Sequence, residues 1–161
     1  MKTIFCALAL TLPFLFAGCA TSPGVQAPTS SVAEASSQTA LDERISYYAN
    51  AYDVPESLIH RSILRESGYN PLAHVGPYWG LMQIRLDTAR GMGFRGSARD
   101  LLDADTNLKY AVAYLANAYV VAGRNPDRAI RLYASGYFYE ARRKGLLDRL
   151  RTAEADRPPA N

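Results

Sequence analysis

Residues 105–123 have the sequence DTNLKYAVAYLANAYVVAG, and this segment decides the fold. Its apolar residues recur three and four positions apart, which is the spacing of one face of an α-helix. We expect Asp105 or Thr106 to cap the start of this helix and Gly123 to end it. The residues of the apolar face are Leu108, Ala111, Val112, Leu115, Tyr119 and Ala122. The segment therefore predicts a long helix that packs against other elements.

Two more helices are predicted on its N-terminal side. Thr39 and Asp42 have the spacing of a capping box, in which the two side chains bond to the first turn of a helix. Pro55 suits the first turn of the next helix, because its fixed φ is helical and its missing N–H has no partner there. That helix is predicted to run to Glu66 or Ser67.

Helices are also predicted on the C-terminal side. Asn125-Pro126 begins one that ends at Gly136, and a last one runs from about Tyr137 to Lys144. The Gly-rich stretch Gly76–Gly96 is expected to contain only short helical pieces, and a segment of this length usually has a function. Alternating strand patterns of useful length are absent, so the fold class is all-α.

Composition excludes several classes of protein. The chain has 161 residues, 18 Lys and Arg against 15 Asp and Glu, and a net charge of +3. A nucleic-acid partner is not expected, because such proteins carry a strongly basic face. The one long apolar run, Ile4–Phe16, is shorter than the roughly 20 residues that span a bilayer.

The first residues have the pattern of a secretory signal peptide. A positive start and an apolar run precede Ala17-Gly18-Cys19, so residues 1–18 are predicted to be removed. The ending also resembles a bacterial lipobox, which predicts lipidation of Cys19, anchoring in the outer membrane and exposure to the periplasm. The alternative is ordinary cleavage after Ala20, which would leave a soluble periplasmic protein.

Three further regions follow the predicted signal. Residues 19–40 are rich in Ala, Ser, Thr and Pro, so we expect a flexible linker that buries no core. Residues 41–150 have the length of one domain, and residues 151–161 form a polar tail. Cys6 would leave with the signal, so Cys19 is the only thiol that could remain and no disulfide is expected.

Glu66 is the first candidate for catalysis. It shares a helix face with Ile59, Ser62 and Ile63, which lie seven, four and three residues earlier. The helical ion-pair positions around it hold no cation, so burial should raise its pKa and keep a proton available for general acid catalysis. The alternative from the pattern alone is a carboxylate that pairs with a distant Arg or bends out to water.

Other chemistries have no support in the sequence. His60 and His74 are the only histidines, and neither an HExxH motif nor a cysteine cluster is present, so no metal and no cofactor are expected. A GxSxG nucleophile elbow is absent as well. Tyr78-Trp79, beside the Gly-rich stretch, is a candidate surface for stacking on a sugar ring.

Several short motifs resemble those of the bacterial soluble lytic transglycosylase domain. They are Glu66-Ser67-Gly68-Tyr69-Asn70-Pro71, Gly80-Leu81-Met82-Gln83-Ile84, Thr88-Ala89, Asn107-Leu108 with Tyr114-Leu115, and Leu132-Tyr133-Ala134-Ser135-Gly136. The similarity spans residues 41–144. The resemblance implies a lysozyme-like α-helical fold.

The resemblance also implies an activity and a set of site residues. The substrate would be peptidoglycan glycan strands, cleaved without water at the β-1,4 bond between N-acetylmuramic acid and N-acetylglucosamine, which leaves 1,6-anhydromuramoyl ends. Glu66 would be the catalytic acid and then base. Ser67 and Gln83 would bind substrate by hydrogen bonds, Met82 would lie on the sugar-facing wall, and Tyr133 would orient the Glu66 carboxyl.

Two alternatives stay open, and one departure from the family pattern makes the first of them plausible. Ala134 stands where the family usually has Asn, so either the rate or the recognition of a sugar is altered. A non-catalytic peptidoglycan-binding lipoprotein is one alternative. A lysozyme-like hydrolase is the other, with Asp100, Asp103 or Asp105 as its second carboxylate, although helix capping also explains these residues.

Overall fold

The structure, a computed structural model, describes residues 29–153. Its helices are α1 (Thr29–Tyr52), α2 (Glu56–Glu66), α3 (Leu86–Gly91), α4 (Ala104–Val121), α5 (Pro126–Ser135) and α6 (Phe138–Arg143). Two 3₁₀ helices cover Ala98–Leu102 and Leu147–Arg149. Three strands of two residues each are β1 (His74–Val75), β2 (Tyr78–Trp79) and β3 (Ile84–Arg85). The fold class is all-α, as the sequence predicts.

Helix α4 is the element around which the others pack. Eleven of its 18 residues are buried, because it contacts α1, α3, α5 and the first 3₁₀ helix. It begins slightly earlier than predicted. The cap is Asp103, whose carboxylate accepts a hydrogen bond from the Thr106 amide at 2.8 Å, and neither Asp105 nor Thr106 serves as the cap.

Helix α1 begins well before the predicted capping box. The chain is helical from Thr29, so part of the predicted flexible linker is a helix. The Thr39 hydroxyl donates to the Ala35 carbonyl at 2.9 Å, which is how a Thr inside a helix satisfies its side chain. Asp42 instead accepts from the Gln38 side chain at 3.0 Å. Residues 35–40 are all exposed, so this turn of α1 lies outside the core.

The predicted ends of three other helices are confirmed. Helix α2 ends at Glu66 with Ser67 as its C-cap, and α5 begins at Pro126 with the Asn125 side chain accepting from the Arg128 amide at 2.9 Å. Helix α6 lies within one residue of its predicted bounds at each end. A local side-chain cap, Asn125, fixes the start of α5, and such a cap acts within a few residues of the chain.

The termini fall partly outside the described residues. The predicted signal peptide, Cys19, the start of the linker and residues 154–161 all lie outside. Residues 151–153 are described and pack on the domain, since Arg151 exchanges backbone hydrogen bonds with the Asn117 side chain and Ala153 is buried. These three residues, the first of the predicted polar tail, are therefore in contact with the domain. Among the described helices, none has the length and apolar character needed to cross a membrane.

A small antiparallel sheet, which the sequence did not predict, lies in the Gly-rich stretch. The strands pair in the order β1-β2-β3, with His74 opposite Trp79 and Trp79 opposite Ile84. Strands of two residues are too short to produce a recognisable alternating pattern. The sheet folds the chain back so that the turn between β2 and β3 faces the core.

Buried Asn107 on α4 fixes that turn in place. Its side-chain amide donates to the carbonyls of Trp79 and Leu101, each at 2.8 Å, and its side-chain oxygen accepts from the Met82 amide at 2.9 Å. Gly80, with φ at +71°, passes so close to Asn107 that a Cβ atom would overlap with it. Two of the motifs quoted above, Gly80–Ile84 and Asn107-Leu108, are therefore parts of one contact.

Candidate active site

A groove of about 700 Å³ runs between α2, the small sheet and the junction of α5 with α6. It brings together residues that are far apart in the sequence. From α2 come Arg65 and Glu66, and from α4 comes Tyr114. The sheet and α3 contribute Tyr78, Gln83, Ile84, Arg85, Asp87, Thr88, Gly91 and Met92, and the α5–α6 junction contributes residues 133–138.

Glu66 is the last residue of α2, and it lies between the buried part of that helix and the groove. Ile59, Ser62 and Ile63 are buried, as the periodicity predicted, and Glu66 follows them on the same face. Its side chain is 23% exposed. The Glu66 side chain is therefore mostly covered by the protein, and its exposed part lines the groove.

Burial raises the pKa of the Glu66 carboxyl above its ordinary value. The neighbouring Arg65 acts in the opposite direction, with its Nε atom 3.7 Å from a Glu66 carboxylate oxygen. This contact corrects the expectation that no cation lies beside Glu66, since that expectation considered only positions three and four residues away. Arg65 is half exposed, so solvent screens its charge. The net effect is a carboxyl group that holds its proton to higher pH than an exposed Glu.

Gln83 presents one side of its amide to the groove. Its nitrogen donates to the carbonyls of Ala73 and Gly80, at 3.0 and 2.8 Å. Both partners only accept, so the nitrogen must face them and the side-chain oxygen must face the other way. Among the described residues that oxygen has no hydrogen-bond partner, and it is available as an acceptor for a ligand.

Met82 lies in the core and not on the groove wall where the resemblance implied it. Its side chain is 0% exposed, because the backbone around it is held by Asn107. Its carbonyl oxygen accepts the hydroxyl proton of Tyr133 at 2.8 Å. Met82 therefore acts on the groove only indirectly, through its hydrogen bond with Tyr133.

Tyr133 lines the groove beside Glu66, but its only proton is given to Met82. No hydrogen bond joins Tyr133 to Glu66 within the described residues. The pKa of the Tyr133 hydroxyl is raised well above its ordinary value, first by burial and then by the negative charge of Glu66. The two groups thus interact through their charges, and Tyr133 links α5 to the turn between β2 and β3.

Ser67 follows Glu66 but does not line the groove. Its hydroxyl donates to the Ile63 carbonyl at 3.4 Å, at the end of its own helix. Gly68 and Tyr69 come next with φ at +59° and +68°, which turn the chain away from α2. In this arrangement Ser67 supports the end of α2 on which Glu66 stands.

Aromatic residues that the sequence analysis did not select form much of the groove. The Tyr114 ring packs against the rings of Tyr133 and Tyr137, with centroids 5.4 and 4.6 Å apart. Phe138, the first residue of α6, lines the groove and is largely exposed. The periodicity of α4 and the unusual run of aromatic residues after Gly136 were the available signals. Of the predicted stacking pair Tyr78-Trp79, only Tyr78 lines the groove, because Trp79 stacks on His74.

The three Asp residues considered as a second carboxylate lie elsewhere. Asp100 and Asp103 cap helices, and Asp105 binds Arg44 at 2.7 Å and the Tyr48 hydroxyl at 2.9 Å. Among the described residues of the groove, the carboxylate besides Glu66 belongs to Asp87. Its side chain is 81% exposed, so solvent screens it from Glu66.

Metal ligation has no visible site in the described part of the chain, where no group of three His, Cys, Asp or Glu residues has a suitable arrangement. The groove combines one partly buried carboxyl group with aromatic rings, a few polar atoms and the more exposed charges of Arg65, Arg85 and Asp87. This composition is typical of a site that binds a hydroxyl-rich ligand and can transfer a proton to it.

The fold and the groove define an α-helical domain with a partly buried carboxyl group at the end of a helix. Residues 43–152 match the family described as Transglycosylase SLT domain, and the chain belongs to this family. Membership implies a lysozyme-like fold and transglycosylase-type activity on peptidoglycan. Comparison with curated proteins and with solved structures found no match.

Proposed function

We propose that this protein is a peptidoglycan lytic transglycosylase that cleaves the β-1,4 bond between N-acetylmuramic acid and N-acetylglucosamine without water. The observation that carries the proposal is Glu66, a partly buried carboxyl group with a raised pKa that faces a groove large enough for sugar rings. Family membership supports the substrate class.

In this mechanism Glu66 acts first as an acid and then as a base. Its proton passes to the glycosidic oxygen as the bond from that oxygen to C1 of the muramoyl ring breaks, and the bonding electron pair leaves with the oxygen. A positive charge develops on C1, as in other glycosidic cleavages. The Glu66 carboxylate then removes the proton of the 6-hydroxyl group of the same ring while that oxygen bonds to C1. The product has a 1,6-anhydro end, and Glu66 is again protonated.

The surrounding residues take supporting roles. The Gln83 side-chain oxygen accepts a hydrogen bond from a hydroxyl or amide group of the sugar, since its amide nitrogen is already held by two carbonyls. Tyr133 and Met82 position the turn that carries Gln83, through the hydrogen bond between them. Ser67 supports the end of α2.

The decisive variant is Glu66→Gln, which keeps the size of the side chain and removes the proton. We expect cleavage of purified peptidoglycan to fall by about 10²–10⁴-fold, the usual contribution of a general acid. Turbidity gives the rate, and mass spectrometry identifies the ends of the products. Asp87→Asn is the matched control, because it removes the exposed carboxylate of the same groove and should leave the rate nearly unchanged. Equal clearance by wild type and Glu66→Gln would mean that Glu66 is not the catalyst, whereas no clearance by the wild type would support a non-catalytic binding protein.

A lysozyme-like hydrolase is the second candidate, and the presence of Asp87 in the groove is the observation that favours it. Hydrolysis with inversion or retention needs a second carboxylate near the bond, whereas internal attack by the 6-hydroxyl does not. Reducing, hydrated ends together with a large loss of activity in Asp87→Asn would establish hydrolysis. Anhydro ends from the wild type would exclude it.

We also propose that the mature protein is an outer-membrane lipoprotein anchored through Cys19. The support is the lipobox-like ending of the apolar run at Ala17-Gly18-Cys19. Several acyl chains on one cysteine would anchor a soluble domain stably. Mass spectrometry of the mature N-terminus and membrane fractionation of Cys19→Ser test this. A wild-type protein that begins at residue 21 and fractionates as soluble would contradict the proposal.

A further inference from the structure

Two neighbouring aromatic residues at the start of α6 are both exposed to solvent. Phe138 is 55% exposed and Tyr139 is 83% exposed. Their rings meet edge to face, with centroids 5.7 Å apart. Only Phe138 belongs to the groove, while Tyr139 points elsewhere. The two residues therefore share a helix, a size and an exposed setting, and they differ in what they face.

The residue before Phe138, Tyr137, anchors this part of the backbone in the protein. Tyr137 is buried, and its hydroxyl oxygen accepts a hydrogen bond from the Asn117 side chain at 3.1 Å. Its ring also packs on Tyr114, another residue of the groove. Because its neighbour is anchored in this way, Phe138 has a defined position at the edge of the groove.

An exposed aromatic ring in a groove has a high affinity for a ligand with an apolar face. Leaving such a ring in water costs free energy that a bound ligand recovers by covering it. The groove that Phe138 lines also contains the Glu66 carboxyl and the free oxygen of Gln83, which suit hydroxyl and amide groups. A pyranose ring offers both, with C–H groups on its face and polar groups at its rim. Tyr78, from the sheet, adds a second exposed ring to the same groove.

We propose that Phe138 is a stacking platform for one sugar ring of the glycan strand, and that it contributes to substrate binding and not to the chemical step. The inference rests on the proposed function, because the strand must lie in the groove to reach Glu66. Tyr139 takes no part in this contact. The occupant is the face of a sugar ring, so binding at this position should not require the peptide side chains of peptidoglycan.

Binding of peptide-free glycan strands to the Glu66→Gln protein measures the contact without cleavage. In this background we expect Phe138→Ala to weaken binding about three- to tenfold, as aromatic contacts of this kind do. Tyr139→Ala should change binding less than twofold, and Phe138→Trp should retain it. Thermal unfolding of each variant tests whether the fold is intact. We expect it to be, because both rings are exposed and their removal leaves no cavity in the core.

The outcomes separate this inference from the proposed function. If Glu66→Gln abolishes cleavage but Phe138→Ala binds strands as tightly as its parent, the platform is wrong and the proposed function stands. If Glu66→Gln retains cleavage, the proposed function fails whatever Phe138 does. Equal weakening by Phe138→Ala and Tyr139→Ala, or no binding of glycan strands by the Glu66→Gln protein, would also overturn the platform.

Discussion

The two walls of the groove are built in opposite ways. On one side, Gln83 lines the groove from a turn, residues 80–83, in which every residue is buried. On the other side, at the end of α5, residues 134–136 are all exposed. Hydrogen bonds from the buried Asn107 side chain hold the first wall in place. The second wall consists of exposed residues at the C-terminal end of α5.

This difference separates substitutions that act through the fold from those that act through the substrate. A buried polar side chain with three hydrogen bonds specifies one backbone position, because any shift would leave a donor or an acceptor without a partner. The 80–83 turn therefore tolerates little change. The exposed wall imposes no such requirement, and it is there that the chain has Ala134 in place of the Asn of the family it resembles.

The largest effect is expected from Gly80→Ala in the buried turn. The added Cβ would overlap with the Asn107 side chain and the Leu101 carbonyl, and the φ of +71° strains any residue other than glycine. We expect a loss of about 3–5 kcal/mol in the free energy of unfolding, from overpacking and backbone strain together. Urea denaturation measures it.

Gly76→Ala is the matched control for that substitution. Gly76 also has a positive φ, at +58°, but a Cβ there would meet open space. Backbone strain alone should cost about 1–2 kcal/mol. If the two variants lost the same stability, the turn would not be fixed by its contacts with Asn107, and the contrast between the walls would fail.

The sequence predicted the parts of this fold that depend on local signals. The end of α2, the start of α5 and the bounds of α6 each follow from residues within one turn of a helix. Glu66 was found in the same way, because its inward position follows from helical spacing. The start of α1 was wrong, since Thr39 and Asp42 match a capping box but lie inside a longer helix.

The parts that were missed depend on tertiary contacts. The placement of Met82 on the groove wall treated an apolar residue near the site as part of its surface, whereas Asn107, 25 residues away, draws that turn into the core. Tyr114 and Phe138 line the groove because of how α4 and α6 are placed in the fold, and no local pattern predicts that placement. The contact between Arg65 and Glu66 could not be predicted from helical spacing, because that spacing pairs residues three and four positions apart and these two are adjacent.

The hydrogen bond from the Tyr133 hydroxyl to the Met82 carbonyl connects the two walls. The substitution Tyr133→Phe removes this hydrogen bond. The buried carbonyl would lose its donor, so we expect the free energy of unfolding to fall by about 1–2 kcal/mol. Tyr139→Phe, which removes a hydroxyl from an exposed ring, should change stability by less than about 0.5 kcal/mol. Similar losses in both variants would show that the walls are not coupled at this point.

On the exposed wall, Ala134→Asn should alter activity and leave stability almost unchanged. An exposed position tolerates substitution within about 0.5 kcal/mol. A new amide in the groove adds one hydrogen bond to the sugar, which corresponds to a gain in kcat/KM of up to about tenfold. Ala134→Leu, of similar size but without polar atoms, is the control. A gain shared by Asn and Leu would attribute the change to added volume.

The smallest effect concerns the pH dependence, through Arg65 beside Glu66. In the proposed mechanism cleavage needs protonated Glu66, so activity should fall as pH rises through the pKa of this carboxyl group. Arg65 lowers that pKa, and therefore Arg65→Gln should extend activity to higher pH. The shift should be small and should shrink with added salt, because Arg65 is half exposed.

Arg61→Gln is the control, since Arg61 lies on the same helix and binds Asp127 at 3.0 Å, outside the groove. A profile of kcat/KM against pH that moved to lower pH in Arg65→Gln, or that moved equally in Arg61→Gln, would show that the neighbouring guanidinium does not tune the catalytic acid.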